Sequence, residues 1–327
     1  MKRFFQHIVF AVAVFCICGI LYAAEKPVEL AFDGKPVIGE TYVMYFHTIR
    51  TSTYSMKPVG LANAPQHKET NEIHASGEII YDSLSPFVAR FKITEMEQIL
   101  DGEKTDFRPL AGATAVIRES GVNLRDIPVG SDRSAESVLG GNPVTGAAAV
   151  STAEIRALVP KAKKLLNQLL SAPSDDAARY LGTSRKAAAG ESWKVSAAPI
   201  LAAVKEQGMT LPEQKVSSTA RYTGPIELAG IGGQNVYFLA ESENVPGYDF
   251  KLEITFTFPK NGGDPPMRME RSATEFVNRV LPEGIPGFSG TTFDCLNQDQ
   301  TDLVILRKSK IKDQNSKKKD GWFFGLF

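Results

Sequence analysis

The densest grouping of potential ligand side chains is the stretch HKETNEIH, which carries His67, Glu69, Glu72 and His74. On an extended chain alternate residues share a face, so Glu72 and His74 point the same way. Imidazole with carboxylate is the donor set of zinc or a similar ion, and these four residues are the candidate metal ligands. The stretch lacks the two histidines on one helical turn that mark metalloproteases. A second polar run, NQDQTD from Asn297 to Asp302, offers oxygen donors. A calcium loop needs Gly where Asp302 stands and Glu where Lys308 falls, so the run reads as a polar turn. The glycines of AGIGGQN, from Ala229 to Asn235, lead into a strand rather than the helix N-terminus a pyrophosphate needs, and read as a hairpin turn at Gly232 and Gly233. Ser289 in GFSGT misses the nucleophile-elbow spacing because Gly290 follows one residue too early. Asp175 and Asp176 open a short helix, where negative charge suits the helix dipole. No catalytic set emerges, and the sequence points to a protein without enzymatic activity and without a cofactor.

The longest helical period is Ser151 to Leu170, where Ile155, Leu158, Val159, Ala162, Leu165, Leu166, Leu169 and Leu170 recur at three- and four-residue steps. Ser151 and Glu154 form a capping box, and Pro160 either kinks the helix or opens it. On either side lie strand patterns. GETYVMYFHT begins the first strand at Gly39, and a polar loop is expected from Lys57 to Asn71. NEIHASGEIIY then alternates Ile73, Ala75, Ile79 and Tyr81 with polar residues. SPFVARFKITEME sets Phe87, Ala89, Phe91 and Ile93 against Val88, Arg90, Lys92 and Thr94. One wet face is the mark of antiparallel sheet. The second half opens on GESWKV and a helix at Pro199 to Gln207, and adds KVSSTARYTG, NVYFLAES and YDFKLEITFTF. The last of these has the cleanest two-residue period in the chain. MRMERSATEFVNRV fits strand or helix, and TDLVILRK fits a final buried strand.

The expected fold class is α+β, built from mostly antiparallel curved β-sheets, in two related sheet units, with a central amphipathic helix and short helices. The expected organisation is a signal peptide at 1–24, a first antiparallel sheet unit at 25–128, and a Gly-, Ser- and Ala-rich linker or long loop at 129–150. The central helix with a second sheet unit would fill 151–309, and a Lys-rich tail with an aromatic end 310–327.

MKRFFQH followed by IVFAVAVFCICGILYAA has the basic start and apolar run of a secretory signal, so export to the periplasm or beyond is expected. An uncleaved leader acting as a membrane anchor is the alternative. Cleavage after Ala24 would leave Cys295 as the sole cysteine, and no internal disulfide. It would also remove Lys2 and Arg3 from a chain of 37 basic and 37 acidic residues, leaving 35 against 37. That balance gives no support for nucleic acid as a partner. With 43% hydrophobic residues over 327 positions the chain supports a substantial core. At the C-terminus, Trp322, Phe323, Phe324 and Phe327 follow a lysine run and are candidates for contact with a membrane surface or a partner groove.

Through its leader, its GETY strand start at Gly39 to Tyr42, its GESW strand start at Gly190 to Trp193 and its helix between strand-rich halves, the chain resembles an uncharacterised family of secreted bacterial proteins. Its layout is similar to that of periplasmic lipoprotein carriers and related half-barrels, in which a curved antiparallel sheet lined by helices holds acyl chains. The resemblance implies a lipid or lipoprotein acyl chain as ligand. A structural role that engages an envelope protein partner is the alternative, and a hydrolase with a dispersed active site is the third reading.

Overall fold

The computed structural model describes residues 26–58, 64–128, 152–170, 176–206, 210–280 and 290–311. The leader, the 129–150 linker and the aromatic tail with Trp322, Phe323, Phe324 and Phe327 lie outside them, as do Ser151, Asp175 and Ser289.

Alternating apolar residues dictate long strands, and fourteen are formed among the described residues. The first half supplies β1 (Val28–Ala31), β2 (Thr41–Lys57), β3 (Gln66–Leu84), β4 (Phe87–Leu100), β5 (Glu103–Asp106), β6 (Thr114–Arg118) and β7 (Gly121–Arg125). The second supplies β8 (Ser184–Ala187), β9 (Ser192–Lys194), β10 (Val216–Leu228), β11 (Ile231–Ser242), β12 (Tyr248–Pro259), β13 (Arg268–Val280) and β14 (Thr292–Arg307). Three α-helices are formed among the described residues, α1 (Thr152–Leu169), α2 (Asp176–Leu181) and α3 (Ala198–Glu206), besides short 3-10 turns.

The α+β expectation is corrected here, because the protein is predominantly antiparallel β. One 12-stranded sheet runs in the order β7-β6-β4-β3-β2-β14-β13-β12-β11-β10-β9, with β5 on the side of β4, and β1 pairs with β8 in a separate two-stranded sheet. The expected pair of related sheet units is corrected with it. The last strand, β14, inserts between β13 and β2 and pairs with β2 from Thr292↔Lys57 to Arg307↔Tyr42, making one continuous surface. Nor is the helix central. Its apolar stripe buries Ile155, Ala162, Leu165 and Leu166 in a core with Tyr42, Phe91 and Ile93, over the end of the sheet that carries β4, β6 and β7. Full burial of one such side chain contributes about 1.5–3 kcal/mol. The helix continues through Pro160, which is exposed together with Arg156, so water can satisfy the carbonyl left without an N–H partner.

Two polar stretches read as loop or turn are strand. Asn297 to Asp302 lies within β14, and β3 begins at Gln66 inside the expected loop. Hydroxyl, amide and carboxyl side chains satisfy one another across the strands there, as in Ser52 to Asn297 at 2.9 Å and Arg50 to Asp299 at 3.1 Å. The β10–β11 turn also falls earlier than the glycine pair suggests. Leu228 pairs with Ile231, so Ala229 and Gly230 make the two-residue loop, both at positive φ as a type I′ hairpin requires.

One face of the sheet, the inner face, bears two separate large cores. α1 roofs the first. The second is roofed by β1 and β8 with α2 and α3, which pack Leu30, Phe32, Leu181, Ile200 and Val204 onto Phe238, Ile254 and Phe256. Between the roofs lie β13, which has no buried residue, and the first twelve residues of β14, which have none either.

Candidate functional site

The gap between the roofs is a groove of about 720 Å³. Leu169 of α1 and Leu170 just after it line one side, and Ala177 of α2 with Phe256 line the other. Phe32 to Pro36 and the Pro265–Pro266 turn also line it, beside the buried Asp264. Gly34 is required at that point, because a Cβ there would strike the backbone carbonyl of Asp264. The Asp264 carboxylate holds the turn in place by accepting from Arg307 and from Lys310, the latter at 2.5 Å, with the Tyr42 hydroxyl 3.4 Å away.

Register gives the floor a chemical gradient. Odd residues of β14 face even residues of β2 on the inner side, in the successive rungs Met44↔Ile305, Phe46↔Leu303, Thr48↔Thr301 and Arg50↔Asp299. Neighbouring strands extend the rungs, with Met269 beside Leu303, Arg271 beside Thr301, Ala75 beside Phe46 and Asn71 beside Arg50. Over roughly 20 Å of strand the floor passes from aliphatic to hydroxyl to charged. At the charged end two guanidinium groups share one carboxylate, Arg50 at 3.1 Å and Arg271 at 3.8 Å from Asp299. The Thr301 hydroxyl donates to the same Asp299 at 3.0 Å. The other charged lining residues, Asp33, Lys35 and Glu119, belong to other segments of the chain.

The predicted metal ligands do not come together as a set. Strand alternation puts His67 and Glu69 on the inner face, where Tyr54 stacks on His67 with centroids 5.4 Å apart and donates to Glu69 at 3.1 Å. Glu72 and His74 lie on the outer face, where they are joined by His47 from β2, directly opposite His74. One oxygen of Glu72 meets Nε2 of His74 at 2.8 Å and Nε2 of His47 at 3.1 Å. The two imidazoles stack at 4.0 Å with 13° between their planes. Hydrogen bonding from His74 first, and then from His47, holds the Glu72 carboxyl below its usual range against the opposing effect of burial.

The cluster belongs to a polar row that crosses the outer face through Glu97, His74, His47, Asp302, Glu270, Thr255 and Tyr237, each the cross-strand neighbour of the next. Arg268 grips Asp302 with two bonds, 3.0 and 2.9 Å long, and reaches Glu270 at 2.9 Å. Burial, followed by the charges of Asp302 and Glu72, raises the pKa of the Tyr45 phenol. Sequence reading missed His47 because it sits 25 residues from Glu72, and only strand pairing brings the two together. Arg50 and Arg271 were missed for the same reason, since neither stands in a motif. Cys295 is half-buried on β14, and burial pushes its thiol up.

Among the described residues no helix is long and apolar enough to cross a membrane. No family model matches the chain. No curated protein matches it either. Among solved structures, an outer membrane channel from Pseudomonas putida aligns over 84% of this chain and 98% of its own, at 7% identity and a TM-score of 0.17. A Clostridium botulinum protein aligns over 75% and 80%, at 8% identity and a TM-score of 0.13. Scores this low carry no argument about fold or function.

Proposed function

We propose that this protein is an exported, non-catalytic binding protein of the cell envelope, and that its groove takes an amphiphile with an acyl-type chain and an anionic head group. The observation that carries this reading is the gradient along the groove floor. Met44, Phe46, Leu303, Ile305 and Met269 offer a chain-like ligand a surface from which water is readily displaced. Arg50 and Arg271 share the Asp299 carboxylate, which leaves guanidinium N–H donors at that end to receive an anion. The volume lies within the range of small-molecule sites, roughly 300–1,000 Å³. Export rests on the N-terminal leader.

The test is native mass spectrometry of the mature protein purified from its own envelope, with lipid extraction of whatever co-purifies, followed by titration with a fluorescent fatty acid. We expect an acidic amphiphile at one per chain. Leu303→Trp should abolish its binding by filling the floor, and Arg271→Gln should weaken acids at least about tenfold while sparing the matching alcohol. A clean apo mass together with no saturable uptake of fatty acid would overturn the reading.

A further inference from the structure

We propose that His47, Glu72 and His74 form a site for one divalent transition-metal ion of the zinc class, on the face of the sheet opposite the groove and independent of any ligand bound there. Two imidazoles and one carboxylate are a common donor set for such ions, and three protein ligands leave positions open for water or an exogenous ligand. The geometry fits. Donor atoms about 2.0–2.2 Å from a common ion lie roughly 3.0–3.5 Å from one another. Here the two imidazole Nε2 atoms stand 2.8 and 3.1 Å from the same Glu72 oxygen, and the three ligand atoms all fall within 4.8 Å of one another.

The scaffold holds the donors without help from loops. His47 and His74 are a directly opposed pair on two long central strands, and Glu72 sits two residues before His74 on the same face. A sheet positions ligands more closely than a loop does. All three side chains are partly exposed, so an ion and its waters have a route in. The surroundings favour a cation: Asp302 neighbours His47, Glu97 neighbours His74, and Glu270 follows Asp302 along the row. Arg268 and Lys104 offset part of that charge through their pairs with Asp302, Glu270 and Glu97. The acidic groups around the imidazoles still outnumber the basic ones.

The test is calorimetric titration of the mature full chain with zinc ion alone, repeated with cobalt(II) to read its visible absorption bands. One ion per chain is expected. His47→Asn, His74→Asn and Glu72→Gln should each weaken binding at least about tenfold, while His67→Gln and Cys295→Ser leave it unchanged. If Glu72→Gln fails to fold by circular dichroism, the two histidine variants decide the matter. Absence of saturable uptake overturns the proposal, as does uptake that survives both histidine substitutions or is abolished by His67→Gln.

Discussion

Among the described residues, the inner face of the sheet is roofed at both ends and bare in the middle. Under α1, Phe91, Ala89 and Ile93 on β4 are almost wholly inaccessible, while Leu303 on β14 and Met269 on β13 are only partly buried. Secondary structure and strand pairing are the same throughout, so the difference lies in what each stretch has to pack against. Among the described residues, a sheet wide enough to join both halves of the chain outruns the apolar surface of three α-helices and the two-stranded β1–β8 sheet. The ends therefore carry the stability and the middle is left as space.

The largest test of that contrast sets one residue from each region side by side. Phe91→Ala should cost about 3–5 kcal/mol in urea unfolding, whereas Leu303→Ala should cost only about 1 kcal/mol, because Leu303 is half-buried and its neighbours already border a void. Equal costs would show that the seam is packed and the groove closed. Next in size is Asp264→Ala, which strands Arg307 and Lys310 beside Tyr42 and should cost roughly 3 kcal/mol. It should also loosen the groove lining at Gly34, seen as weaker uptake of fatty acid than the stability loss alone explains.

A smaller effect is expected on the outer face. The Tyr237 hydroxyl donates to Glu253 at 2.6 Å and, with Lys251, holds that carboxyl below its ordinary value. Burial, with Glu253 beside it, pushes Tyr237 itself up to about 12. Glu253, depressed in the folded state, contributes stability that is present above its ordinary pKa and lost as pH falls through the folded value. Tyr237, raised in the folded state, contributes stability that is present below its ordinary pKa of 10.0 and lost as pH rises through about 12. Tyr237→Phe should therefore lower stability near neutral pH by no more than about 0.5 kcal/mol, since Glu253 is over a third exposed, and the gap to wild type should close in acid. A gap that persists in acid would assign the loss to packing instead.

Much of this was legible from local pattern. The alternation in Phe250, Leu252, Ile254, Phe256 and Phe258 places a core strand, and all five are buried. The stripe from Ile155 to Leu170 places a helix. The polar half of β14 was not legible, because Asn297, Gln298, Asp299 and Gln300 have low strand propensity and are held extended by partners on β2 and β13. The groove left no local signal either, since its floor combines residues from four strands with alternation no different from that of packed strands.

The sequence by itself determined which residues share a face: Glu72 with His74, Met44 with Phe46, Leu303 with Ile305. Those relations depend only on the two-residue period of an extended chain. Tertiary structure alone decided which faces meet. The pairing of β14 with β2 sets Asp299 beside Arg50 and Asp302 beside His47, across some 250 residues of chain. Register between distant strands follows from the packing of the whole sheet, which no local window contains.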